Sequence, residues 1–111
     1  MKPEDKIRLQ HMLDAAQKAA NFAGHLSLSS FTKDEKLTLS VTRLIEIMGE
    51  AAVRVSDDLK EEHPDILWSQ IISTRNRLIH GYFDVDLAIV HRIVTQDLPP
   101  LIAHLKSLLK R

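Results

Sequence analysis

The sequence contains no cysteine, so disulfide bonds and zinc sites built on thiolates are excluded. Glycine occurs only 3 times and aromatic residues make up only 5% of the 111 residues, whereas leucine, isoleucine, alanine, lysine and glutamate are abundant. Strands are enriched in aromatic and β-branched residues, while leucine, alanine, lysine and glutamate favour helices. The composition therefore favours an all-α protein over one built on a sheet.

Long apolar stretches are also lacking. The first residues, "MKPEDKIRLQHMLD", have no apolar core of the kind that a secretory signal needs, and no segment approaches the roughly 20 apolar residues of a membrane span. A hydrophobic share of 44% with 27% charged residues is typical of a globular chain. We therefore expect a single soluble, cytoplasmic domain over residues 1–111, with no membrane partner.

The chain has no excess of either charge, since 15 basic and 15 acidic residues give a net charge of zero. A general nucleic-acid coat protein usually presents a basic surface, so this balance argues against that class. Locally, however, no acidic residue lies between Asp65 and Asp84, and Arg75, Arg77 and His80 fall together within that interval. Such a small basic cluster suits a few phosphates and not a long duplex.

The spacing of apolar residues predicts four or five helices joined by short connections. Their expected bounds are 3–23, 34–59, 66–79 and 87–96, with a fifth helix opening at Pro99. The polar stretch "SLSSFTKD" is predicted to be a loop, and "KEEHPD" to interrupt the helices, because the residue before Pro64 is disfavoured in a helix. Asp65 is expected to cap the third helix, and Gly81 to end it in the left-handed conformation. Short connections favour antiparallel neighbours, which predicts an up-and-down bundle.

The long second helix carries apolar residues outside its core-facing stripe. The stripe consists of Leu37, Val41, Leu44, Met48, Ala52 and Val55. Leu39, Ile47 and Val53 lie off it, and the first helix is rich in alanine. Scattered exposed apolar residues are normal, but a second apolar side is most simply buried by a twofold partner. We therefore favour a homodimer.

The stretch "TRNRLIHGYFD", residues 74–84, places charge on an apolar helix face. Arg75 falls on the apolar row, four residues after Ile71 and three before Leu78. A charge on a core-facing row needs a partner or an anionic ligand. Alternatively, its aliphatic stem packs on apolar neighbours while its head reaches water. The sequence leaves both alternatives open.

His80 stands five residues after Arg75, near the expected helix end. A histidine there interacts favourably with the helix dipole, and histidine is also the usual general acid or base near neutral pH. Five residues of straight helix separate the two side chains by about 140° around the axis. They converge only if the last turn loosens at Gly81, or if two copies of the helix meet across a dimer axis.

These residues resemble a known family. Arg75-Asn76, followed by three residues and His80, fits the R-x-x-x-x-H motif of HEPN domains, and Gly81 and Tyr82 extend it to R-x-x-x-x-H-x-Y. That form is similar to the HepT-like toxins of HepT–MntA toxin–antitoxin pairs. The likeness covers most of the chain, including "IMGEA", the Pro-x-x-x-Trp approach to the motif and the closing "TQDLPPLIAHLKSLL".

The resemblance implies an all-helical homodimer in which the two motifs flank a cleft at the interface. It implies a ribonuclease that acts on RNA without a metal or other cofactor, with Arg75 and His80 as its catalytic residues. It also implies a partner, an MntA-like minimal nucleotidyltransferase antitoxin that neutralises the toxin by transferring AMP to the motif tyrosine, here Tyr82. The alternative is a non-catalytic HEPN subunit that binds nucleotide or RNA beside such a partner. A plain helical dimerisation module would leave Arg75 unexplained.

The residue types suit that chemistry. RNA supplies its own nucleophile, the 2′-hydroxyl, so cleavage needs a group that moves protons and a clamp on the phosphate. His80 suits the first task, and the forked guanidinium of Arg75 suits the second. Asn76 is expected to hold either the substrate or His80. Glu50 is expected either to orient Arg75 or to pair with Arg54 one helical turn away.

Other polar and aromatic residues receive structural interpretations. Trp68 is predicted to pack in the core or an interface. No two of the six histidines have the spacing of a helix-borne zinc site, so no metal ligand is assigned. The remaining histidines are predicted to be incidental surface positions: His11, His25, His63, His91 and His104.

Overall fold

The computed structural model describes residues 1–110, and within them the chain is all-α, with no strand. The helices are α1 (Pro3–Ala23), α2 (Leu28–Thr32), α3 (Glu35–Val53), α4 (Asp57–Glu62), α5 (Trp68–His80), α6 (Leu87–Arg92) and α7 (Leu98–Leu109). A turn of π-helix, Ile93–Asp97, joins α6 to α7. The all-α prediction is confirmed. No helix in this range is both long enough and apolar enough to cross a membrane.

The core lies where α1 packs against α3 and α7 and where α5 packs on α3. Its largest fully buried side chains are Phe31, Leu9, Met12, Ile45, Leu98, Leu105, Leu108, Val41, Val90 and Val94. The alanines at positions 15, 16, 19 and 23 of α1 are also buried within the chain. They belong to this core and give no support to a second apolar face on α1, which corrects the expectation from the sequence.

The long second helix ends earlier than predicted. It was expected to reach Leu59, but α3 ends at Val53 and a separate helix begins at Asp57. The break is fixed from a distance, because the carboxylate of Asp5 accepts hydrogen bonds from the Ser56 N–H at 2.8 Å and from the Ser56 hydroxyl at 2.6 Å. The Ser56 oxygen in turn accepts the Leu59 N–H and so caps α4.

The stretch predicted to be a loop, "SLSSFTKD", contains the short helix α2. Ser27 is its N-cap and accepts the Ser30 N–H at 3.1 Å. Phe31 anchors the helix, since its side chain is completely buried in the core. The loop prediction was wrong because the burial of Phe31, in an otherwise mostly polar run, is enough to hold a single capped turn.

The two C-terminal helices form one continuous rod from Leu87 to Leu109. The Leu98 N–H donates to the carbonyl of Ile93, five residues back, which widens the helix there. Pro99 and Pro100 follow directly. Each proline lacks an N–H and crowds the carbonyl four residues before it, so the wider turn relieves both clashes. The two predicted helices are present, but the first ends at Arg92, earlier than expected, and a π turn and not a loop connects it to the second, which begins at Leu98.

The ends of α5 differ from the sequence prediction in their details. Asp65 does not cap the helix, which begins at Trp68 after Leu67 with no side-chain cap. Gly81 has φ −105° and ψ 35°, so it is not left-handed. A Cβ at Gly81 would lie 2.8 Å from the carbonyl oxygen of Arg77. Glycine is needed here for close approach of the backbone and not for a positive φ.

Asp5 is a buried carboxylate, with 4% of its surface exposed. Burial raises its pKa, but the two hydrogen bonds from Ser56 and the positive charges of Lys2 and the N-terminal amine together bring the pKa below its ordinary value of 3.8. Asp5 therefore stabilises the fold most when it is ionised. That contribution is fully present above the ordinary pKa of a carboxylic acid, and it is lost as the pH falls through the lower pKa of the folded state.

We expect Asp5→Ala to lower the free energy of unfolding by about 2 kcal/mol at pH 7, because two partly buried donors of Ser56 lose their acceptor. The difference from the wild type should shrink as the pH falls below 3.8 and through the lower pKa of the folded state, because the wild-type carboxylate then becomes protonated. Chemical denaturation at pH 7 and pH 3 measures both quantities. Asp14→Ala, an exposed carboxylate on the same helix, serves as the control. A difference that is equal at both pH values would contradict the assignment.

Candidate functional site

Helix α5 carries the predicted site and is held at its start by Trp68. The indole ring is buried, and its N–H donates to the carbonyl of His63 at 3.0 Å. Ile71 and Ile72 pack against the core, and Leu78 is buried within it. The prediction that Trp68 is a packing residue is confirmed. The polar residues of the motif lie in the second half of α5, from Arg75 to His80.

Arg75 lies where α5 crosses α3. A Cβ added at Gly49 of α3 would be 2.3 Å from Cβ of Arg75 and 2.9 Å from its Cγ, so only glycine fits at this crossing. The aliphatic stem of Arg75 therefore lies directly on the backbone of α3. Nε of Arg75 is buried without a hydrogen-bond partner, and Nη1 donates to Oδ1 of Asn76 at 2.9 Å. Within residues 1–110, Nε of Arg75 is the only buried side-chain nitrogen or oxygen that has no hydrogen-bond partner.

The aliphatic stem of Arg75 packs on its neighbours, as the second of the two alternatives from the sequence predicted. Its positive charge, however, is not neutralised. No carboxylate lies within ion-pair distance of Arg75 in the described chain. Leaving a partly buried guanidinium in this state costs free energy. The group is therefore available to an anion, and a phosphate oxygen is the kind of acceptor that its forked geometry fits.

His80 is exposed and is the last residue of α5. The helix stays regular to this point, since the Gly81 N–H donates to the carbonyl of Arg77 at 2.8 Å. The last turn does not loosen, so Arg75 and His80 stay about 140° apart around the axis. One chain by itself does not aim these two side chains at a common point.

The two predicted supporting residues are placed differently from each other. Asn76 is exposed and accepts the hydrogen bond from Arg75, so it orients the guanidinium and not His80. Glu50 is half-buried beside Gly49 and forms neither of its expected ion pairs, with Arg75 or with Arg54, within residues 1–110. A role for Glu50 in the site stays a prediction.

Tyr82 follows the helix end and is 67% exposed. Its neighbour Phe83 is 85% exposed, and the centres of the two rings lie 4.3 Å apart at an angle of 38°. The Asp84 N–H donates to the carbonyl of Gly81 at 2.9 Å and closes this turn. Phe83 was missed by the sequence reasoning. The sequence feature that could have identified Phe83 is the pair of adjacent aromatic residues just after the end of a helix, in a chain that has few aromatic residues.

One histidine that was predicted to be incidental is structural. His91 on α6 is half-buried, and its Nε2 lies 2.7 Å from the carbonyl oxygen of Leu26, to which it donates. Its ring also packs on Phe31, with centres 5.8 Å apart. The contact ties α6 to the segment between α1 and α2, 65 residues away in sequence. No group of three or more potential metal ligands occurs in the described part of the chain.

The apolar residues outside the stripe of α3 divide into two kinds. Ile47 packs against the core, so its assignment to a second face was wrong. Leu39 and Val53 are 65% and 45% exposed and lie on the same side of α3, fourteen residues apart. A homodimer stays a prediction, with these two exposed side chains as its remaining apolar support on α3.

The fold and the motif define an all-α domain of the HEPN class. Residues 12–108 match the family described as ribonuclease HepT-like. The chain is 33% identical over 110 residues to the "Probable ribonuclease HepT" of Thermococcus cleftensis, covering 99% of this chain and 100% of that protein. It is 30% identical over 100 residues to a "Putative RNase" of Methanocaldococcus jannaschii, covering 90% and 92% of the two chains. Among solved structures, none matches at comparable significance. The chain belongs to the HepT-like ribonuclease family.

We expect Gly49→Ala to destabilise the protein by about 1–3 kcal/mol, because overpacking at the α3–α5 crossing outweighs the gain in helix propensity of about 1 kcal/mol. The new methyl group would push α5 away and move Arg75 with it. Chemical denaturation checks the stability. Ser40→Ala, at an exposed position of α3, should stay within about 0.5 kcal/mol of the wild type. A stabilised Gly49→Ala variant would show that the helices do not meet at this position.

Proposed function

We propose that this protein is a metal-independent endoribonuclease that works as a homodimer. The guanidinium of Arg75, which has no carboxylate partner and one buried unpartnered nitrogen, carries the proposal together with the family match. A basic group held in this state by the fold is suited to a phosphodiester, which supplies a negative charge and hydrogen-bond acceptors to its outer nitrogens.

The reaction we propose needs only the substrate's own nucleophile. The 2′-oxygen attacks the adjacent phosphorus, the bond from phosphorus to the 5′-oxygen breaks, and a 2′,3′-cyclic phosphate and a free 5′-hydroxyl result. His80 moves a proton, either taking it from the 2′-hydroxyl or giving it to the leaving 5′-oxygen. Arg75 stabilises the added negative charge on the phosphate oxygens. Asn76 holds the guanidinium in place through its hydrogen bond.

The dimer completes the site in this proposal. Because α5 is regular to its end, Arg75 and His80 of one chain point in different directions. A twofold axis close to the end of α5 would bring Arg75 of one subunit to His80 of the partner subunit. Two equivalent sites would then lie along one cleft.

The biological role we propose is that of a toxin in a toxin–antitoxin pair, neutralised by an MntA-like nucleotidyltransferase that adenylylates Tyr82. The tyrosine oxygen attacks the α-phosphate of ATP, an oxygen–phosphorus bond forms, and pyrophosphate leaves as the phenolic proton is released. The 67% exposure of Tyr82 makes its hydroxyl accessible to a second enzyme. The added phosphate would be two residues from His80 and would compete with RNA for the basic groups.

We expect His80→Ala and Arg75→Met each to reduce RNA cleavage by at least about 100-fold, because one removes the proton carrier and the other removes the phosphate clamp. Methionine at position 75 keeps an aliphatic stem on Gly49, so the variant should stay folded. His25→Ala and Arg92→Met change exposed residues of the same types elsewhere and should keep wild-type rates. Cleavage rates with labelled RNA, alongside circular dichroism, test these variants.

We further expect cleavage to persist in EDTA and to stop when the ribose at the cut site lacks its 2′-hydroxyl. Mass spectrometry of the products should find the 2′,3′-cyclic phosphate. Cleavage of the 2′-deoxy substrate would refute the mechanism. A protein that binds RNA but never cleaves it would support the non-catalytic alternative.

We expect Tyr82→Phe to keep nuclease activity and to escape modification, because the ring remains while the attacking oxygen is removed. Wild-type and variant proteins would be incubated with ATP and the cognate nucleotidyltransferase, and the added AMP located by peptide mass spectrometry. Addition of AMP at another residue, or catalytic neutralisation of Tyr82→Phe, would contradict this role.

A further inference from the structure

The turn after α5 holds the two most exposed aromatic rings in the described part of the chain. Tyr82 and Phe83 are 67% and 85% exposed and lie against each other, 4.3 Å apart. The following residues, Val85 and Leu87, pack against the core, so the turn is anchored while its rings face solvent. Displaying a phenylalanine to water costs hydrophobic free energy. Neither ring belongs to the hydrophobic core of the folded chain.

We propose that Phe83, supported by the ring of Tyr82, is a stacking platform for a base of single-stranded RNA next to the cleaved phosphate. This inference rests on the proposed ribonuclease function and extends it to a substrate-binding residue that lies outside the R-x-x-x-x-H-x-Y pattern. Stacking on an aromatic face is the usual way in which proteins hold unpaired bases. A base within a duplex has both faces covered, so the platform selects single strands.

The charges around the pair favour RNA over a protein partner. Arg77 and His80 occupy the last turn of α5, and the guanidinium of Arg75 lies on the same helix without a carboxylate partner. Aromatic rings beside such groups match the combination that binds single-stranded nucleic acid, in which stacking holds bases and cations hold phosphates. Protein interfaces also use aromatic residues and arginine, so it is the groups that can hold phosphates, and not the rings alone, that favour RNA. Two acidic residues, Asp84 and Asp86, follow Phe83 in the sequence, and both line one pocket with Arg77.

The other aromatic residues do not compete for this role. Phe31 and Trp68 are buried, and the indole N–H of Trp68 is already bonded to a backbone carbonyl. Phe22 is 46% exposed but lies on α1, away from the motif in sequence. It therefore provides a matched control, since it is a partly exposed phenylalanine outside the proposed site.

The test compares wild-type protein, Phe83→Leu, Phe83→Trp and Phe22→Leu for binding of one short RNA. The RNA is a sequence that the wild type cleaves, made uncleavable by a single 2′-deoxyribose at the mapped cut site. We expect Phe83→Leu to raise the Kd about 10-fold, within the 5- to 150-fold range that loss of one stacked base produces, since leucine has no aromatic face. Phe83→Trp and Phe22→Leu should stay within about twofold of the wild type. Because Phe83 is 85% exposed, these substitutions do not threaten the core.

A second RNA, with the base next to the cut site removed, identifies the interaction. The wild type should bind this abasic RNA as weakly as Phe83→Leu binds the intact RNA, and Phe83→Leu should lose nothing further on the abasic RNA. Equal binding of intact RNA by wild type and Phe83→Leu would overturn the platform while leaving the nuclease intact. The platform would also be overturned if light scattering showed that Phe83→Leu binds RNA weakly because it no longer forms the dimer. Failure of the wild type to bind or cleave any RNA would refute the proposed function itself.

Discussion

The contact on which the rest of the site depends is the crossing of α3 and α5 at Gly49 and Arg75. With a Cβ position at Gly49 only 2.3 Å from Cβ of Arg75, the two helices meet backbone to side chain with no room for another atom. This closeness buries the stem and Nε of Arg75 and leaves only its outer nitrogens to reach an anion. It also fixes the position and direction of α5 relative to α3. The positions of His80 and of the turn that carries Tyr82 and Phe83 follow from this.

The cost of that arrangement points to a function. A well-packed helix would place an apolar residue at position 75, between Ile71 and Leu78 on the same row. The chain instead places an arginine there and provides no carboxylate for it in residues 1–110. Arg75 breaks the apolar pattern of α5, and Gly49 on the neighbouring helix makes room for it. A ligand explains this arrangement better than a gain in stability does. The buried Asp5 offers a contrast, since its charge is fully supported by Ser56 and it serves the fold.

The sequence predicted the fold class, the bounds of α1 and the helix that carries the motif, because periodicity and end residues act locally. It did not predict the end of α3, which depends on Asp5, 51 residues away from Ser56. Nor did it predict the π turn before Pro99, where a local clash is relieved by widening the helix instead of ending it. Arg75 was singled out from its residue type and its place on the apolar row, whereas Asn76 and Tyr82 were drawn in by the resemblance to the HEPN motif, and their roles in a site stay predictions. The exposure of Phe83 was not, since adjacent apolar residues after a helix are usually buried.

The relative placement of Arg75 and His80 defines the central claim, namely that each catalytic site takes one of them from each subunit. The most direct measurement mixes two inactive proteins, Arg75→Met and His80→Ala, under conditions that exchange subunits. Random exchange should restore about a quarter of wild-type cleavage, because half of the dimers are mixed and each mixed dimer contains one complete site of two. If both residues act within one subunit, no mixed dimer contains a complete site, and a mixture as inactive as its components would contradict the account.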